Sequence, residues 1–266
     1  MKKIVIIVVV TITTLSASAQ GFKTRFLKTN EQFKNGKFVW EVSDTYTGRV
    51  GEFWPISAVN LVTNTTNPEL FNGASIDSIQ SKFAGVATSP DGMTGGSIGN
   101  YQLQGKCLAS GKPCGDGNLY EYGIVVYLPK NQGHKLVFTH LNEFTDFQQS
   151  YNQYEKDGAT LFFLPSIYRN GDSLVSEKLI EKVLIRRSTV GNTEQVGVIV
   201  FDQAVTCNQA RQIVLGLDRP GKSTTTHIYV LDGGPIWGQA CKETNNTIEI
   251  IGTRDESAVT NYLVFY

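Results

Sequence analysis

Methionine occurs twice in the 266 residues, and tryptophan and histidine three times each. The three histidines, His134, His140 and His227, lie far apart, and neither a CxxC nor an HxxxH spacing occurs. The sequence therefore offers no set of metal ligands, and it specifies no cofactor. An excess of one charge is also lacking, since 24 basic residues balance 24 acidic ones. Nothing in that balance calls for nucleic acid or an anionic membrane as a partner. There is no internal repeat, low-complexity tract or linker, which argues for one domain from about Phe38 to Tyr266.

What is present points to a β-rich globular protein. Aromatics reach 11%, glycines number 26, and apolar residues make up 41% against 18% charged. That composition supports a buried core and favours strands.

The N-terminus reads as a targeting segment. Lys2 and Lys3 precede the apolar stretch Ile4–Leu15, and Ala17-Ser18-Ala19 is an A-x-A cleavage site. The stretch is too brief to span a bilayer. The pattern predicts a signal peptide over residues 1–19, cleaved after Ala19. A periplasmic or secreted protein without a transmembrane anchor follows. Four cysteines, Cys107, Cys114, Cys207 and Cys241, then fall in an oxidising compartment. Four cysteines allow three connectivities. The short turn-forming insert between Cys107 and Cys114 favours that pair, which leaves Cys207 with Cys241.

Strand-like runs occur at Lys37–Val42, Phe53–Val62 (interrupted at Pro55), Ala84–Ala87, Glu121–Leu128, Lys135–Thr139 and Ala159–Leu164. Others follow at Val183–Arg187, Val196–Asp202, His227–Leu231, Ile248–Ile251 and Tyr262–Tyr266. Helical spacing marks Ala74–Phe83, Asp146–Lys156 and the run Ala210, Ile213, Val214, Leu217, with Thr206 or Asp202 near its start. Strands crowd both ends, and helices alternate with strands in the middle. The expected fold is α/β (α+β), a single domain with a central mixed β-sheet and helices packed on it.

Three apolar runs end in groups able to do chemistry. Arg187 closes one, within Arg-Ser-Thr-Val-Gly (187–191). A guanidinium fork matches two phosphate oxygens, and Ser188 and Thr189 add donors. Arg186 points to the opposite face, so only one of the two arginines can face a site. Asp202 closes a second run. Asp232 closes a third and is followed by Gly233 and Gly234, which allow close backbone approach to a ligand. A carboxylate there can act as acid, base, sugar-hydroxyl acceptor or cation ligand, although Asp-Gly is also an ordinary turn. Gly95-Gly96-Ser97-Ile98-Gly99 matches a nucleophile-elbow pattern but lacks the strand before and the helix after that an elbow needs.

The order Arg-Ser-Thr-Val-Gly, helix, Leu-Asp-Gly-Gly (231–234) resembles the phosphodiester glycosidase family, the group of the lysosomal uncovering enzyme. Ser97–Lys106, Leu164–Gly171 and Ala258–Val264 are similar to further stretches of that family. Ala87-Thr88-Ser89-Pro90 stands where the family has Asn-Gly-Gly-Phe-Phe, Leu164 where it has the glycine before Pro165, and Pro235 where it has a third glycine. The resemblance implies a hydrolase of sugar-1-phosphodiesters, acting for instance on cell-envelope glycan. Arg187 would hold the phosphate and Asp232 the sugar or the proton. Ser188, Thr189, Asp202, Gly233 and Gly234 would lie in the binding shell. The departures leave a second expectation open, a non-catalytic glycan-binding or structural envelope protein on the same fold.

Overall fold

The structure, a computed structural model, describes residues 23–26, 37–43, 49–53, 56–63, 86–88, 94–95, 102–103, 105–173, 180–218, 223–233, 239–242, 248–251 and 261–265. The targeting segment, the helix expected at Ala74–Phe83 and Gly234 lie outside these residues.

Strands dominate. The largest sheet has the order β1 (Lys23–Phe26), β2 (Lys37–Ser43), β3 (Arg49–Phe53), β16 (Thr193–Thr206), β15 (Ile180–Val190), β17 (Thr224–Gly233), β13 (Ser166–Arg169) and β14 (Asp172–Ser173). A five-stranded sheet has the order β11 (Lys135–His140), β10 (Gly123–Leu128), β12 (Thr160–Leu164), β8 (Cys107–Ala109) and β9 (Lys112–Cys114). A second runs β19 (Ile248–Ile251), β18 (Gln239–Lys242), β5 (Val86–Thr88), β20 (Asn261–Phe265) and β4 (Val59–Thr63). A short ribbon pairs β6 (Thr94–Gly95) with β7 (Gln102–Leu103), and residues 96–99 of the elbow-like pattern lie outside the described residues. Two α-helices, α1 (Phe147–Lys156) and α2 (Cys207–Gly216), complete the described residues.

The fold is α+β. The expected mixed pairing differs in one respect: every ladder among the described residues is antiparallel. Tight hairpins account for sequence-adjacent pairs such as β8–β9 and β15–β16. Ser110-Gly111 (φ 50° and 78°) and Asn170-Gly171 (φ 46° and 103°) have the paired positive φ of type I′ turns.

Both faces of the central strands β15, β16 and β17 are buried, which accounts for their near-continuous apolar runs. Val183, Ile185, Val196, Val198, Tyr229 and Leu231 face one core, together with Ile124, Phe138 and Phe162 of the first five-stranded sheet. Leu184, Ile199, Phe201, Ile228 and Val230 face a second core, closed by Ala210, Ile213 and Val214 of α2. Both helices begin at side-chain caps. Asp146 accepts from Gln149 N at 2.9 Å, and Thr206 and Gln209 form a reciprocal capping box.

Strand lengths correct the sequence reading. β15 runs past Arg187 to Val190, β16 past Asp202 to Thr206, and β17 past Asp232 to Gly233. Arg187 is therefore mid-strand. The polar residues Ser188 and Thr189 pair with Gln195 and Glu194 across a hairpin whose turn starts at Gly191, so backbone ladder bonds continue where the apolar run stops. The large sheet also takes in β1 and the start of β2, upstream of Phe38.

No disulfide is found among the described residues, which take in Cys107, Cys114 and Cys207. Cys107 and Cys114 are direct register partners in the β8–β9 hairpin. Burial pushes the Cys114 thiol up to about 12. Cys207 opens α2 in the second core, whereas Cys241 belongs to β18 of another sheet, its side chain outside the described residues. No helix among the described residues is long and apolar enough to cross a membrane.

Candidate functional site

Register brings together residues that the chain keeps far apart. On β17, His227 is opposite Arg187 of β15 on one side and Arg169 of β13 on the other. Directly opposed residues share a face, so Arg187, His227 and Arg169 form one row across three strands. Tyr229 lies two residues along β17 on the same face. Its ring meets His227 edge-on, with centroids 5.8 Å apart. The facing sheet contributes Phe138 and His140 of β11. The Arg187 guanidinium sits over the Phe138 ring at 6.0 Å, and His140 Nε2 is 3.2 Å from the Tyr229 hydroxyl.

Tyr229 is locked in place. Its hydroxyl donates to Thr139 O at 3.2 Å. Its ring occupies the space beside Gly123, where a Cβ would come within 2.6 Å of Tyr229 Cζ. With its proton given to Thr139 O, the Tyr229 oxygen can accept from His140 Nε2. That leaves the lone pair of the neutral imidazole on Nδ1.

The electrostatics keep both imidazoles neutral at pH 7. Burial, then the Arg187, His140 and Arg169 charges, hold His227 down to about 4 from its ordinary 6.5. Burial and Arg169 also lower His140. The guanidiniums have acidic neighbours: Arg169 pairs with Glu143 and Arg187 with Glu194. Arg187 Nε is buried with no hydrogen-bond partner.

A cleft of about 680 Å³ opens beside this cluster, lined among others by Tyr122, His140, Asn142, Ser166 and Arg169. The buried Ser166 Oγ has no hydrogen-bond partner. Guanidiniums beside a neutral imidazole suit an anionic substrate and a proton transfer. Among the described residues, no group of three or more His, Cys, Asp and Glu could hold a metal ion.

The sequence-derived residues are placed as follows. Arg187 is in the row. Ser188 is buried and opposite Thr225, and the Thr189 hydroxyl points to Thr224 O at 3.5 Å. The Asp232 backbone is opposite Val183, four residues along β15 from Arg187, which sets the two ~13 Å apart along the strands. Gly233 pairs with Glu181, and Asp202 is inside β16. The side chains of Asp202 and Asp232 are outside the described residues. Sequence reasoning missed Arg169, Tyr229 and Tyr122, and it set His140 and His227 aside as incidental. The usable signal was the His-Ile-Tyr alternation at 227–229, which puts two of the cluster's rings on one face.

No family model and no curated protein matches the chain. Among solved structures it is similar to the catalytic domain of zebrafish N-acetylglucosamine-1-phosphodiester alpha-N-acetylglucosaminidase, in a form auto-inhibited by its pro-peptide. The match covers 92% of this chain and 88% of that one, at 11% identity and a TM-score of 0.56. At that identity the likeness is one of fold alone.

Proposed function

We propose that the protein is an exported glycosidase-like hydrolase that cleaves a sugar-1-phosphodiester. One observation carries the reading: the row Arg187–His227–Arg169, two guanidiniums flanking a neutral imidazole beside a cleft. The arginines hold the phosphodiester, and His140, half-buried at the cleft wall, accepts a proton. A sugar phosphate is a good leaving group, so a strong general acid is less needed. Asp232 keeps its expected role as acid or sugar ligand, and its substitution tests that role directly. The fold likeness supports a carbohydrate substrate.

A second reading has its own support. Arg169 and Arg187 already pair with Glu143 and Glu194, so an anion competes with a carboxylate at each. That favours a glycan-binding protein without turnover. Sugar release from a panel of synthetic sugar-1-phosphodiesters separates the two. Turnover supports the hydrolase, and binding of the panel with no product supports the binding protein.

A further inference from the structure

The phosphodiester reading gives no role to Tyr122, a lining residue of the cleft. Tyr122 lies just before β10, and its ring stacks on that of Tyr120 with centroids 5.3 Å apart and planes 14° from parallel. Tyr120 is itself fixed, its hydroxyl donating to Asp116 Oδ2 at 2.6 Å. Asp116 is anchored in turn, accepting from Gly105 N and Asn118 N, both at 2.9 Å. The chain Asp116–Tyr120–Tyr122 therefore presents one aromatic ring in a set position. The same cleft is lined by Glu121, Asn142, Ser166 and Asp172.

We propose that Tyr122 is the stacking platform of a sugar-binding subsite, and that the ligand is an uncharged pyranose ring held beside the arginine row. This rests on the phosphodiester reading for the position of the phosphate, not for the sugar. An aromatic face takes the C–H face of a pyranose, while carboxylate, amide and hydroxyl groups at its edge take the ring hydroxyls. Glu121 and Asp172 at the rim oppose a second phosphate, which selects a sugar carrying one phosphodiester over a nucleoside di- or triphosphate. Tyr122 needs no reordering on binding, because Tyr120 already holds it.

Binding of phosphate-free methyl glycosides of hexoses and N-acetylhexosamines to the full chain tests this, read by saturation-transfer NMR and titration. At least one glycoside should bind, and Tyr122→Ala should weaken it by about tenfold, the scale of one stacked ring. Tyr122→Phe should restore it. Asn142→Ala, at the exposed rim, reads the same subsite if Tyr122→Ala does not fold. Absence of glycoside binding, equal binding by all variants, or tighter Tyr122-dependent binding of nucleotides would overturn the proposal. Sugar-1-phosphodiester turnover separates it from the reading it extends. Tyr122-dependent glycoside binding without turnover keeps the subsite and removes the hydrolase. Turnover with KM unchanged in Tyr122→Ala keeps the hydrolase and removes the subsite.

Discussion

Arg186 and Arg187 are consecutive, yet their guanidiniums serve opposite faces of one sheet. Arg186 Nη1 donates to both Glu52 oxygens at 3.1 and 3.2 Å, whereas Arg187 sits over the Phe138 ring at 6.0 Å. The Arg186 side is closed and fully bonded. Its Nε donates to Thr225 Oγ1 at 2.9 Å and its Nη2 to Asp218 Oδ1 at 2.7 Å. Asp218 also accepts from Thr225 N at 2.8 Å. This network ties β3 and β17 to the end of α2, and Gly197 leaves room for Glu52, whose Oε1 would lie 2.8 Å from a Cβ there.

The first prediction follows from that network. Arg186→Met strands Glu52 and Asp218 and should destabilise the fold by about 3–5 kcal/mol, read from urea unfolding. Arg186→Lys keeps the charge but loses the fork, so it too should lower stability. On sequence grounds Arg186 looked like the arginine that faces away from any site. The two arginines do lie on opposite faces, and the burial of Arg186 gives it a structural role.

His227 gives a pH prediction. Its native pKa, about 4, lies below the ordinary 6.5, so the native state resists the proton that the unfolded chain accepts. The stabilising contribution is present above about 6.5 and is lost as pH falls toward about 4. His227→Gln should flatten that part of the stability–pH profile. Equal slopes for parent and variant between these values would exclude the effect.

Gly123 makes room for the Tyr229 ring on which the His140 contact depends. Gly123→Ala puts a methyl within 2.6 Å of Tyr229 Cζ and should cost about 1–3 kcal/mol by overpacking. The same change should move Tyr229 away from His140 and shift the His140 titration seen by NMR. Unchanged stability and titration would show that the ring has slack.

The elements were legible where chemistry is local. The caps at Asp146 and Thr206, the Asn170-Gly171 turn and the apolar strands at 123–128 and 160–164 follow from spacing and turn residues. Strand ends were not legible at Arg187, because Ser188 and Thr189 continue the ladder through backbone bonds that polarity does not reveal. The site was half legible. Arg187 stands out in its motif, but Arg169, His140 and His227 come from three strands whose register no sequence pattern fixes. The cross-strand contact Arg169–His227 depends on β13 meeting β17 with an irregularity between Ser166 and Tyr168, which slides Arg169 into the row.

The last prediction concerns turnover of a sugar-1-phosphodiester. Arg187→Lys and Arg169→Lys each keep a charge but lose the bidentate fork. Each should reduce kcat/KM by about 10²–10³, or about 2.7–4 kcal/mol, taking loss of one preorganised donor as the yardstick. Asp232→Asn keeps the shape but removes the charge and the proton acceptor. If Asp232 is the acid or the sugar ligand, its loss should be at least as large. His140→Gln should lower kcat more than it raises KM, because a proton acceptor acts in the transition state. Lys112→Gln, at an exposed position on the edge strand β9, is the silent control. Full loss in the arginine variants with Asp232→Asn unaffected would confine the chemistry to the cleft beside Tyr229. Loss in Asp232→Asn alone would move it to the far end of β17, ~13 Å away along the strands.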